Sequence, residues 1–133
     1  MTRKKILFIW HAGVVKSYQK YIESLAENDD LDITLLTPES WTEGSKETKA
    51  YIPENAKYKV IIGKTIGPKD PLIAIYPKLP SYLKQIQPDL IHLYEEPWHN
   101  IAAYLLFWKK ILCPKSKLIF QTFQNIIEKY PLN

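Results

Sequence analysis

Apolar and polar positions alternate along this chain between two periods, and the alternation predicts strand, loop and helix in turn. Lys5–Trp10 (KILFIW) is a continuous apolar run of the kind a strand shows when both its faces are covered. A loop, His11 to Lys16, follows it. Tyr18, Tyr21, Ile22, Leu25 and Ala26 then recur at helical spacing, with Ser17 placed to cap the helix. After the acidic turn Asp29–Asp32, Ile33–Leu36 reads as a second strand that Pro38 terminates. Residues 38–56, polar and broken by Gly44 and Pro53, read as a long excursion, and loops of that length in a small domain are often functional.

The second half repeats the pattern. Tyr58–Ile62 is the third strand, and Gly63–Pro71 another loop. Ile75, Leu79, Leu83 and Ile86 mark a helix within Leu72–Gln87, irregular at its start because of Pro77 and Pro80 and regular afterwards. Leu90–Tyr94 is the fourth strand, His99–Leu112 an apolar helix and Leu118–Thr122 the fifth strand. Strands alternating with helices predict an α/β fold, a Rossmann-like doubly wound parallel sheet of about five or more strands. The 133 residues suffice for one domain, 1–133, that buries about two-thirds of its unfolded surface. No closing element follows the fifth strand, so the chain reads as the front part of a longer protein.

Composition narrows the function classes. One cysteine, Cys113, excludes an internal disulfide and carries no nucleophile signature beside Pro114. The basic start with Ile6–Trp10 lacks a cleavage site, and the longest apolar run, Ile101–Trp108, falls well short of the roughly 20 residues that span a bilayer. Eighteen Lys and Arg against fourteen Asp and Glu leave a charge of +4, with no nucleic-acid-binding motif to accompany it. Lys109, Lys110, Lys115 and Lys117 gather near one end of the apolar helix. That suits peripheral membrane docking, and equally a core helix with a solvated end.

Chemistry concentrates beyond the strand ends, where open α/β sheets bind ligands. In Pro88–Pro97 (PDLIHLYEEP) a buried strand runs into two carboxylates, Glu95 and Glu96, which form a site or merely favour the dipole of the next helix. The loop after the first strand, with Gly13 and Val14, has one glycine, so the three-glycine dinucleotide fingerprint is absent. Gly13 serves either close backbone approach to a phosphate or sugar, or a tight turn. Gly63-Lys64-Thr65 is not a P-loop, because Tyr58 stands where its leading glycine belongs. His11, His92 and His99 have no zinc spacing. His92, inside a strand, reads as a satisfied core residue, whereas His11 and His99 lie beyond strand ends within reach of a ligand. Gln121, Gln124 and Asn125 supply amides suited to hydroxyl-rich ligands or to capping the next helix. Trp98 and Trp41 could stack on a sugar ring or fill the core.

Four passages, KILFIWHAGVVKSYQKYIESLAEN, LDITLLTPESW, PDLIHLYEEPWHNIAAY and LIFQTFQNIIEKYP, together resemble the N-terminal domain of a family 4 glycosyltransferase of the GT-B type, in the right order along essentially the whole chain. The resemblance implies the acceptor half of a retaining enzyme. A C-terminal domain, absent from this chain, would hold the nucleotide sugar, with no metal or cofactor. It implies transfer to a glycan or lipid-linked acceptor in cell-surface polysaccharide synthesis, in the cytoplasm or at the inner face of the membrane, and no activity for this part alone. Gly13, Val14 and their neighbours would lie near the donor phosphates or acceptor, and Glu95, Glu96, Trp98 and His99 near the acceptor pocket. Glu96 and Gln124 are the expected catalytic positions. Gln124 stands where many relatives carry a histidine, and a glutamine can hydrogen-bond a sugar hydroxyl but cannot act as a base. The alternative is a stand-alone module that binds a nucleotide or sugar without catalysis.

Overall fold

Six residues of unbroken apolar or lysine-stemmed character, Lys4–Ile9, form β1, which lies at the centre of the sheet. The structure is a computed structural model and describes residues 2–43, 45–67, 70 and 73–121. In chain order it then has a short 3-10 turn at His11–Val14, α1 (Lys16–Ala26), β2 (Leu31–Pro38), β3 (Ser40–Glu43), β4 (Lys46–Lys49) and β5 (Lys59–Gly63). The second half supplies α2 (Leu79–Ile86), β6 (Leu90–Leu93), α3 (Asn100–Leu112) and β7 (Lys117–Phe120). Five of the strands make one parallel sheet in the order β5-β2-β1-β6-β7. This is the Rossmann-like arrangement: the chain builds outward from β1 to one edge, returns, and builds outward to the other.

Alternation along β1 divides the core in two. Leu7 and Ile9 point toward α2 and α3 and pack with Leu36, Leu83, Ile91 and Leu93. Phe8 and Trp10 point the other way, toward α1, and pack with Ile22, Leu35, Tyr58 and Tyr94.

Two expected elements need correction, and a third is as expected. Ser17 does not cap α1: Val15 is the N-cap, and its carbonyl accepts from the Tyr18 and Gln19 amides, so the helix is entered directly from the 3-10 turn. The helix expected in Leu72–Gln87, irregular at its start and regular afterwards, is regular from Leu79, with Pro80 in its first turn, because a proline restricts the residue before it as well as its own hydrogen bonding. It stops at Gln87, whose backbone enters the left-handed region (φ 47°) and whose N–H closes on the Leu83 carbonyl. The excursion at 38–56 contains an antiparallel hairpin, β3 paired with β4, with Glu43 opposite Lys46. Gly44-Ser45 between two short polar strands is a two-residue hairpin signal, overlooked because the strands carry little apolar alternation. Trp41 anchors the hairpin by burying itself against Val14 and Ala74.

Candidate functional site at the switch point of the sheet

The strand order reverses between β1 and β6. Their backbones run in register, Ile9 opposite Leu93, and the Tyr94 amide donates to the Ile9 carbonyl at 3.0 Å. The residues that follow each strand are therefore forced side by side. Trp10 and Tyr94 stack with ring centres 4.4 Å apart, and one step further His11 meets Glu95 across 84 residues of sequence.

Glu95 is the centre of the arrangement. Its Oε1 accepts from the His11 backbone amide at 3.0 Å and from His11 Nδ1 at 2.5 Å, while its Oε2 accepts from His99 Nδ1 at 3.2 Å. Glu95 is 6% exposed and His11 1%, so the pairing is dry on one side. A carboxylate can only accept, which makes both Nδ1 atoms the donors. The His11 ring lies between Trp41, at 4.5 Å, and Tyr76, at 5.3 Å. His11 Nε2 and the Tyr76 hydroxyl are buried with no hydrogen-bond partner among the described residues. Burial, and secondarily the nearby Glu95 charge, push the Tyr76 phenol well above its ordinary range, so it remains a donor.

A cleft of about 810 Å³ opens over these groups. Its lining includes the aromatic rings of Trp10, Tyr18, Tyr21, Trp41 and Tyr94. It also includes the polar side chains of His11, Glu95, Glu96, His99 and Gln121. Tyr18 stacks on Trp10 at 5.5 Å, and Tyr94 stacks on His92 at 4.2 Å, so Tyr18, Trp10, Tyr94 and His92 form a continuous column of rings. Burial, with the Tyr21 hydroxyl as a further cause, raises the Tyr94 pKa strongly.

Gln19 holds the turn in place from behind. Its Nε2 donates to the carbonyls of Gly13 (2.7 Å) and Tyr51 (2.9 Å), and its Oε1 accepts from the Tyr58 hydroxyl at 2.9 Å. Burial raises the pKa of Tyr58 to about 12, which keeps that donor protonated.

The expected site residues separate into three sets. His11, Glu95, Glu96 and His99 come together on the cleft. Gly13, Val14 and Trp98 lie off its lining. Gly13 backs against β2, where an added Cβ would sit 3.2 Å from Leu35 Cδ1 and 3.3 Å from Thr37 Oγ1; its lack of a side chain serves packing. Val14 is in the small core under Trp41, and Trp98 is 57% exposed, edge-on to the His99 ring. Gln124 and Asn125 lie outside the described residues. Gln121 does reach the cleft, and its Oε1 accepts from His92 Nε2 at 3.1 Å, so His92 is buried and satisfied, with its pKa lowered by that burial. Glu95 is bonded to two histidines rather than to the first turn of α3.

Sequence reasoning passed over Trp10, Tyr18, Tyr21 and Tyr94 as site residues. Their signal was present: aromatic residues immediately past two strand ends and on the first two turns of the first helix. Among the described residues no group of three metal-ligating side chains is arranged to hold a metal ion, and no helix is long and apolar enough to cross a membrane. Fold and cleft together define an α/β domain with an open cleft at its switch point. The chain matches no family model, no curated protein and no solved structure.

Proposed function

We propose that this chain is the acceptor-side domain of a retaining GT-B glycosyltransferase. The observation that carries the reading is the switch-point cleft, whose lining combines aromatic rings with carboxylates and imidazoles. A sugar ring offers an apolar face and a rim of hydroxyls. Tyrosine and tryptophan rings take the first, and Glu95, Glu96 and His99 take the second.

In this reading a second α/β domain binds the nucleotide sugar and closes on the cleft. The acceptor lies on the wall of Trp10 and Tyr94, and Glu96 orients the attacking hydroxyl. The leaving diphosphate takes up the proton, so enclosure and alignment contribute more than a strong base. Transfer to a glycan or lipid-linked acceptor in the cytoplasm is the matching setting. Leu106, Phe107 and Ile111, exposed on α3 beside Lys109 and Lys110, suit contact with the inner face of the membrane. The second reading, a binding module without catalysis, draws support from a cleft lined wholly within one domain.

Release of nucleoside diphosphate, measured with and without acceptor, tests the proposal. The 133-residue chain should transfer no sugar, and in the enzyme joined to its donor domain Glu96→Gln should lower kcat by roughly 10²-fold with the circular dichroism spectrum unchanged. Unaltered turnover removes Glu96 from the site, and turnover by the chain alone removes the need for a second domain.

A further inference from the structure

The helices on the two faces of the sheet differ in charge. α1 and the turn after it, residues 16–32, carry Lys16 and Lys20 against Glu23, Glu27, Asp29, Asp30 and Asp32. On the opposite face, residues 78–87, which contain α2, and 98–121, which contain α3 and β7, carry Lys78, Lys84, Lys109, Lys110, Lys115 and Lys117 and no aspartate or glutamate. Of the acids between these two stretches, Asp89 gives its Oδ2 to the Lys5 amide at 2.8 Å, and Glu95 and Glu96 stand at the cleft, past the other end of β6. The net charge of +4 is thus unevenly spread, with its excess on the side of α2 and α3.

That same side exposes apolar groups. Ile101, Ala102 and Leu105 of α3 are buried against the sheet, whereas Leu106, Phe107 and Ile111 are 48%, 58% and 57% exposed. A helix that is apolar all round is normally covered on every side. These three residues lie in the second half of α3 with Lys109 and Lys110, while the cleft lies at its start, where His99 precedes Asn100. At 13 residues α3 is too short to cross a bilayer but long enough to lie on one. Apolar side chains flanked by lysines are the pattern of a helix at an anionic lipid surface: the rings and aliphatic groups enter the boundary between headgroups and acyl chains, and the lysine stems carry their charges out to the phosphates. A second copy fits this face less well, because a two-fold contact would set its lysines against their own counterparts.

We infer that the α2 and α3 face docks on an anionic phospholipid surface, with Leu106, Phe107 and Ile111 inserted at headgroup depth and the surrounding lysines paired with lipid phosphates. The inference deepens the membrane setting of the proposed function and rests on that setting, not on sugar transfer. It adds the class of lipid, the face that reads it, and the independence of docking from the cleft.

The test is sedimentation of the 133-residue chain with vesicles of two compositions, phosphatidylcholine alone and an equimolar mixture of phosphatidylcholine and phosphatidylglycerol. Binding to the mixed vesicles should be roughly tenfold or more tighter, and should weaken as NaCl rises from about 0.1 M to about 1 M, where the screening length falls to about 3 Å. Equal affinity for the two compositions overturns the inference, and so does failure to bind either. Phe107→Ser with Ile111→Ser, at solvent-facing positions, should weaken binding roughly tenfold with the circular dichroism spectrum unchanged. Lys110→Gln with Lys115→Gln should reduce the preference for the anionic vesicles, whereas the same loss of charge on the other face, Lys16→Gln with Lys20→Gln, should leave it within about twofold of the parent. Equal losses from the two lysine pairs would mean that net charge and not this face drives binding. A vesicle-free dimer that the Phe107 and Ile111 substitutions disperse would assign the face to a second copy, and either result overturns the inference. Failure here is distinguishable from failure of the glycosyltransferase reading. Transfer to a soluble acceptor by a two-domain protein that binds no vesicles defeats this inference alone, whereas vesicle binding by a two-domain protein that transfers no sugar does the reverse.

Discussion

The two faces of one sheet are built from different materials. On the side of α2 and α3, β1 and β6 contribute Leu7, Ile9, Ile91 and Leu93, an aliphatic surface met by Leu79, Leu83 and Leu105. On the side of α1 the same two strands contribute Phe8 and His92, the residues just past their ends contribute Trp10 and Tyr94, and the rings stack into a column that continues out of the core into the cleft. Aliphatic side chains fill volume without direction and serve stability. Aromatic rings and a histidine fill volume too, but they have faces and polar edges, so one surface can be core at its base and binding wall at its top. A single residue of register separates the two roles, because adjacent strand positions point to opposite faces.

The largest expected effect lies on the aliphatic face. Leu83 is fully buried in α2, away from the cleft, and Leu83→Ala should cost about 2–5 kcal/mol in urea denaturation while leaving glycoside binding unchanged. A matching loss of affinity in the folded variant would show that the two faces are not separable.

A loss of similar size is expected where the aromatic face meets the site. Glu95→Leu leaves the His11 amide and Nδ1 buried without their acceptor, at about 1–3 kcal/mol for each orphaned donor. Glu95→Gln should recover part of this, since an amide oxygen still accepts. Equal losses from both variants would mean that charge, and not hydrogen bonding, holds the turn.

The smallest effect concerns His92, whose burial lowers its pKa from the ordinary 6.5, with the Gln121 bond as a weaker opposing influence. The unfolded chain then takes up a proton at His92 before the folded one does, so its contribution to stability is complete above pH 6.5 and declines as the pH falls below that value toward the folded pKa. His92→Phe, which retains an aromatic ring between Phe8 and Tyr94, should flatten the acid side of the stability profile, and the imidazole proton resonances of the parent should titrate below 6.5. A midpoint above that value would contradict the burial of His92 as the dominant influence.

Much of the fold is legible in the chain because its signals are local. KILFIW and the run after Pro88 announce buried parallel strands, and the spacing from Tyr18 to Ala26 announces a helix. The errors fall where a local signal was weak or two signals competed. Gly44-Ser45 marks a turn, but strands as polar as Lys46–Lys49 offer no alternation to confirm it. Ser17 is a good cap by composition, yet the 3-10 turn delivers the chain to α1 with the Val15 carbonyl already in place. The candidate site was half legible. His11, Glu95, Glu96 and His99 could each be placed beyond a strand end, and Gly13 and Trp98 looked equally eligible until their surroundings were seen.

Sequence alone determines the elements, their alternation, the absence of a dinucleotide fingerprint and the presence of polar groups at the ends of β1 and β6, since all of these depend on neighbours within a few residues. Only the tertiary structure decides that β6 lies beside β1, that Glu95 therefore reaches the His11 amide, and that Gly13 packs against β2. The physical reason is the same for each: strand order brings together groups 84 residues apart, and a carboxylate's partner is set by that adjacency and not by any periodicity along the chain.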